Sequence, residues 1–122
     1  MSDHSMTSIL VIRHAEKPTP DNVVRAVDDF GRPNPHELSV LGWQRAGALA
    51  ALLGNANRRT QSGLKQPRHL FTARPTAEKP SARSLRTLQP IGDVLGLAVS
   101  LEFAVGEEVA LTRRLRALAL DG

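Results

Sequence analysis

An arginine–histidine pair at the end of a short apolar run is the feature of this sequence that is best suited to chemistry. Residues 9–12 read Ile-Leu-Val-Ile, and Arg13 and His14 follow directly. A neutral imidazole can attack phosphorus and form a phosphohistidine, and a neighbouring guanidinium neutralises the charge on the phosphoryl oxygens. The pair therefore predicts chemistry on a phosphate group, with His14 as the nucleophile and Arg13 as a phosphate ligand.

The elements that must position this pair follow from the spacing of the apolar residues. A β-branched apolar run is typical of a strand buried on both faces, so we predict a first strand at residues 9–12 and a long loop at 15–38. Ser39 is the predicted N-cap of a helix over residues 40–53, and Gly54 is its predicted C-cap. The remaining predicted elements are an exposed loop at 55–67, a strand at 69–72, a helix at 81–95 that Pro90 kinks or delays and Gly96 ends, a strand at 98–103 and a helix at 107–120.

Strands and helices alternate along the whole chain. This alternation predicts an α/β fold, a three-layer α/β/α sandwich with a mainly parallel sheet, formed by residues 1–122 as a single domain. Ligands of such sheets bind beyond the carboxyl ends of the strands. His14 is expected at that place, directly after the first strand.

Three stretches of the sequence, in order, resemble the motifs of one family. Residues 9–16 resemble the strand and Arg-His-Ala-Glu signature of the histidine phosphatase superfamily, the phosphoglycerate mutase-like proteins. Residues 38–46, Leu-Ser-Val-Leu-Gly-Trp-Gln-Arg-Ala, are similar to the family's helix start, and residues 81–87 resemble its Ser-x-Arg-x-x-x-Thr stretch. The resemblance implies a phosphoglycerate mutase-like fold, a phosphohistidine on His14, and phosphate binding by Arg13 and Arg83. Lys17-Pro18 and the proline-rich loop after it indicate a small bacterial subgroup.

The chain departs from the family pattern in two ways. The family carries a second catalytic histidine after a later strand, and none of His4, His36 and His69 stands in that context. We therefore expect that the C-terminal part of the usual domain is missing from this sequence. The family's general acid also has no clear match, and the candidates that stay open are Glu16, Asp28, Glu107 and Glu108.

Two functions compete at this point. The first is a phosphatase that hydrolyses a phosphomonoester or a phosphoprotein through phospho-His14. The second is a truncated, non-catalytic relative that binds phosphate or a protein partner. Simpler interpretations also stay open for single residues: His14 as a structural histidine, Arg13 as a surface ion-pair partner, and Arg83 as a solvated helix residue easily confused with Arg86.

Composition narrows the remaining classes. The formal net charge is +4, mostly from arginine, which suits an anionic partner. The chain has no cysteine, which excludes disulfides and thiolate chemistry. Its four histidines lack ligand spacing and there is no phosphate-binding glycine loop, so we expect no metal and no cofactor. Four aromatic residues in apolar contexts argue against nucleic-acid binding.

Targeting and assembly are predicted from the same sequence. The polar N-terminus has no signal-peptide segment, and no apolar run is long enough to span a membrane. We therefore expect a cytoplasmic protein. A sheet that lacks its last strands has an unpaired edge, so we expect a homodimer or marginal stability.

Overall fold

The computed structural model describes residues 8–17 and 26–120. This part of the chain forms helices and short strands in the order α1 (Val40–Gly54), α2 (Ala56–Ser62), β1 (Leu70–Phe71), α3 (Arg83–Leu95), β2 (Val99–Ser100) and α4 (Glu108–Leu120). The two strands are parallel, with Leu70 opposite Val99 and Phe71 opposite Ser100. The prediction of a mixed α/β chain with parallel pairing is confirmed, and the observed sheet has two strands.

Helix α1 begins where the sequence predicts. The Ser39 side chain accepts a hydrogen bond from the backbone N–H of Gly42 at 3.0 Å, which satisfies one donor of the first turn. The end of the helix differs by one residue, because Gly54 is its last residue and Asn55 is the C-cap. The helix buries Gly42, Ala46, Ala50 and Leu53 on one face, and the rest of the fold packs against that face.

The predicted loop at residues 55–67 is wrong over α2. The Asn55 side chain caps this helix by accepting from Arg58 N at 3.0 Å, and Gly63 ends it in the left-handed conformation at φ 72°. The Arg59 guanidinium also donates to Leu53 O, which ties α2 to the end of α1. An asparagine N-cap and a glycine after the last turn are standard helix signals, and they outweigh the polar composition of this stretch.

Helix α3 runs through Pro90 without interruption, so the predicted delay of its start is wrong. The turns on both sides of Pro90 are held by packing, because Thr87, Ile91 and Gly92 are buried. Gly96 ends the helix in the left-handed conformation, as predicted. A Cβ at Gly92 would lie 2.4 Å from Leu97 O, so only glycine allows the chain to turn back so closely.

The predicted first strand is wrong. Residues 9–12 form neither helix nor strand, and Ile9, Leu10, Val11 and Ile12 are exposed, Val11 by 86%. A strand requires a neighbour to complete its ladder. In the described part of the chain, no backbone hydrogen bond links this run to either strand.

Two apolar clusters form the core of the described part of the chain. The larger joins α1, β1 and α3 through Ala50, Leu53, Leu70 and Ile91. The smaller consists of Ala15, Leu38 and Ala46, with Trp43 packed against it. The second cluster packs Ala15, the residue after His14, against α1, and it therefore positions the candidate site. Among the described residues, no helix is long and apolar enough to cross a membrane.

Candidate functional site

The backbone immediately after His14 is wedged between α1 and α3. The Ala15 N–H donates to Thr87 Oγ1 at 2.9 Å. The carbonyl oxygen of Glu16 accepts both the N–H and the hydroxyl of Ser39, each at 3.0 Å. Ala15, Ser39 and Thr87 are all buried, so these bonds are shielded from water. They fix residues 14–16, hereafter the His14 turn.

The Thr87 hydroxyl connects this turn to the arginine of the third motif. It donates to Arg83 O at 2.8 Å while it accepts from Ala15. The hydroxyl of Thr87 therefore donates its one proton within α3, and a lone pair of the same oxygen accepts from the turn after His14. The structure thus brings the main chain after His14 next to α3, although Ala15 and Thr87 are 72 positions apart in the sequence.

His14 itself is exposed, and its ring has a defined contact. Nδ1 lies 2.7 Å from Ala15 O. A carbonyl oxygen can only accept, so Nδ1 carries the proton of this bond. In the neutral ring, the lone pair is then on Nε2. This tautomer suits nucleophilic attack by Nε2. The side chain of Arg13, the neighbouring cation, is exposed as well.

The guanidinium of Arg83 lies against the chain that precedes α1. Nε donates to Glu37 O at 3.2 Å, Nη1 to Ser81 Oγ at 3.4 Å, and Nη2 to Pro35 O. A guanidinium has five N–H donors, so three contacts leave two donors for another acceptor. Arg83 is thus a partly buried, oriented cation and not a solvated helix residue. Its role as a phosphate ligand stays a prediction.

Sequence reasoning missed Glu37, which is the best-buried carboxylate of the site. It is 4% exposed, and both of its oxygens accept from Arg86: Nε lies 2.9 Å from Oε2, and Nη2 lies 2.9 Å from Oε1. The hydrogen bond that Arg86 donates to the Glu37 carboxylate is the main cause of the raised pKa of Arg86, and Asp29 adds a weaker attraction at 3.6 Å. The side chain of Arg86 also lies over the ring of Trp43, with Cζ 5.8 Å from its centroid.

Residues 35–39, hereafter the 35–39 segment, link the two halves of the site. At one end, His36 O accepts from Ala82 N at 2.9 Å, which caps α3 where Ala82 offers no side-chain cap. Leu38 is fully buried in the middle, and Ser39 holds Glu16 at the other end. The hydrogen bonds therefore close a circuit from the His14 turn through Thr87 to α3, and back through the 35–39 segment.

Two of the candidate acids are near this circuit in the chain but have other contacts. Glu16 Oε2 is buried and has no hydrogen-bond partner in the described part of the chain, although Arg45 Nε lies 3.4 Å away. The 3.4 Å separation makes an ion pair without hydrogen-bond alignment. Asp28 Oδ1 accepts from the N–H groups of Phe30 and Arg32 and closes a local turn.

The other two candidate acids organise the start of α4. Glu107 Oε1 accepts from Ala104 N at 2.9 Å and pairs with Arg74 at 3.3 Å. Glu108 Oε1 accepts from Gly106 N at 3.0 Å, and this bond is the main cause of its lowered pKa. Both carboxylates thus have structural contacts in the turn before α4. The choice among the four acids stays a prediction.

Comparison with known proteins leaves the geometry as the main evidence. Neither protein-family models, nor curated proteins, nor solved structures contain a match to this chain. Within residues 8–17 and 26–120, no group of three or more His, Asp or Glu side chains is arranged to hold a metal ion. Arg13 and His14 are exposed, and buried hydrogen bonds tie the main chain that follows them to α3. The first turn of that helix carries the oriented Arg83.

Proposed function

We propose that this chain is a phosphatase that hydrolyses a phosphomonoester or a phosphoprotein through a phosphohistidine on His14. The observation that carries the proposal is the circuit through Thr87, which ties the His14 turn to the first turn of α3, where Arg83 lies. The order of the three motifs supports it. The same resemblance supports a three-layer α/β/α sandwich.

The proposed reaction has two displacements at phosphorus. Nε2 of His14 attacks, a P–N bond forms, and the bond to the ester oxygen breaks while that oxygen takes a proton from a general acid. Arg13 and Arg83 neutralise the charge on the equatorial oxygens. Water then attacks phospho-His14 and gives a proton back to the general acid, the P–N bond breaks with its electron pair returning to Nε2, and inorganic phosphate leaves. The Nδ1 contact with Ala15 O keeps the ring oriented in both steps.

The test is hydrolysis of p-nitrophenyl phosphate together with trapping of an acid-labile phosphoenzyme. We expect His14→Ala to lower the rate at least about 100-fold, because the nucleophile is lost, and to abolish the trapped phosphoenzyme. The matched control is His36→Ala, since His36 is also exposed. The substitution keeps the main-chain carbonyl of residue 36, which accepts from Ala82 N. An unchanged rate in His14→Ala would refute the mechanism.

A non-catalytic, phosphate-binding or partner-binding protein is the second candidate. The observation that favours it is the set of main-chain and hydroxyl acceptors that Arg83 already contacts, which restrains its movement toward a transition state. This candidate predicts binding of inorganic phosphate that depends on Arg83, without turnover. Hydrolysis that depends on His14 would eliminate it.

A further inference from the structure

We infer that Glu37 is a positioning residue that sets the affinity of Arg83 for a phosphoryl group. The inference rests on the proposed function, in which Arg83 is a phosphate ligand. It concerns a residue that does not contact the substrate. Glu37 acts through its own peptide carbonyl, which accepts from Arg83, and through its carboxylate, which anchors that peptide to α3.

The carboxylate of Glu37 is buried and paired with Arg86. Its side chain is 5% exposed, and three N–H···O contacts from Arg86 occupy the two oxygens, at 2.9, 2.9 and 3.2 Å. A buried carboxylate is tolerated when a guanidinium satisfies it in this two-pronged manner. Glu37 therefore serves as an anchor and not as a catalytic acid.

The main chain of the same residue orients Arg83. Glu37 O accepts from Arg83 Nε, and Pro35 O accepts from Nη2, so the plane of the guanidinium is defined by the position of this short stretch. Arg83 and Arg86 are three residues apart on one helix, and neighbours at this spacing lie on the same face. Glu37 thus accepts hydrogen bonds from both arginines: its carboxylate accepts from Arg86, and its main-chain carbonyl accepts from Arg83.

The position of the Glu37 peptide consequently decides where the two remaining donors of Arg83 point. A preorganised guanidinium binds an anion more tightly than a mobile one, because less side-chain freedom is lost on binding. If the carboxylate no longer holds Arg86, the 35–39 segment loses its strongest attachment to α3. The guanidinium of Arg83 then loses its orientation relative to the His14 turn, and anion affinity falls.

The experiment compares Glu37→Gln with Asp29→Asn, two variants that each remove a carboxylate facing Arg86. Asp29 is half-exposed and lies 3.6 Å from Arg86. Binding of inorganic phosphate is measured by isothermal titration calorimetry, and hydrolysis of p-nitrophenyl phosphate is measured in parallel. We expect Glu37→Gln to raise the Kd for phosphate and the KM about 10-fold, as for a misplaced binding group, and Asp29→Asn to change both less than about two-fold.

The KM separates positioning from a loss of folded protein. A variant that only lowers the folded fraction reduces the apparent kcat and leaves KM and Kd unchanged. Leu53→Ala provides the comparison, because Leu53 belongs to the other apolar cluster, and we expect its KM to equal that of the wild type. Glu37→Asp retains the charge and should restore most of the phosphate affinity.

The outcomes are distinguishable from those of the proposed function. If Arg83→Ala weakens phosphate binding but Glu37→Gln leaves Kd within about two-fold of the wild type, the inference is wrong while the role of Arg83 as a phosphate ligand stands. If Arg83→Ala leaves phosphate binding unchanged, the proposed function is wrong. Should Glu37→Gln not fold, Arg86→Lys takes its place, because lysine keeps the charge but loses the two-pronged contact with Glu37. A rise in both Kd and KM supports the inference, and unchanged values overturn it.

Discussion

Two regions of this molecule, the candidate site and helix α4, are stabilised by different kinds of contact. The region around the His14 turn, the 35–39 segment and α3 contains buried polar groups that hydrogen-bond to one another across long stretches of sequence. Helix α4 has no buried residue, and the ion pairs at this end of the molecule lie at the surface: Arg114 of α4 pairs with Glu102, and Arg74 pairs with Glu107 in the turn before the helix. The comparison indicates that the geometry of the candidate site depends on the first region and hardly on α4.

The strongest way to break this comparison is to empty the core beneath the 35–39 segment. Leu38 is 0% exposed, and we expect Leu38→Ala to lower the free energy of unfolding by about 3 kcal/mol, because it leaves a cavity beside Ala15 and Ala46. Val109 of α4 is 69% exposed, so Val109→Ala should cost about 0.5 kcal/mol or less. Urea denaturation measures both. Equal losses would show that α4 contributes as much to stability as the first region does.

A second prediction sharpens the comparison at the contact between α1 and the His14 turn. A Cβ at Gly42 would lie 2.3 Å from Glu16 O, a main-chain atom that cannot move alone. We expect Gly42→Ala to destabilise the fold by about 2 kcal/mol and to weaken phosphate binding, because the turn is pushed away from α1.

The matched control for that substitution lies on the same helix. A Cβ at Gly47 would meet nothing within 4 Å, so Gly47→Ala should stabilise the helix by about 0.5 to 1 kcal/mol. Thermal melting checks both variants. If Gly42→Ala were as stable as Gly47→Ala, the close approach of Glu16 to α1 would be disproved.

The smallest effect is expected in the turn before α4 and depends on pH. The hydrogen bond from Gly106 N lowers the pKa of Glu108 in the folded state. Stability from this bond is therefore present above the ordinary pKa of 4.5 and is lost as the pH falls through the lower, folded value. We expect the difference in Tm between the wild type and Glu108→Gln to shrink slightly from about pH 6 to about pH 3. A difference that grows toward low pH would contradict the assigned direction.

Local signals in the sequence predict most of the helices. Ser39 as an N-cap and Gly96 as a terminator act on their own turns, so one stretch of sequence contains the whole interaction. Helix α2 was within reach of the same reasoning, through Asn55 and Gly63. Residues 9–12 mark the limit of this approach. Apolar β-branched residues favour a strand, but a strand also needs a partner, and no pattern within four residues supplies one.

The residue types and their spacing establish the chemistry available to this protein: a histidine beside an arginine, a pair of arginines three residues apart in α3, and no thiol. Which of these groups meet depends on how the elements pack. Glu37 has no motif that distinguishes it, and it becomes the anchor of Arg86 because the 35–39 segment runs along α3. Partners 49 residues apart in the chain are selected by packing and by the cost of leaving a buried charge unpaired, and neither is encoded in local spacing.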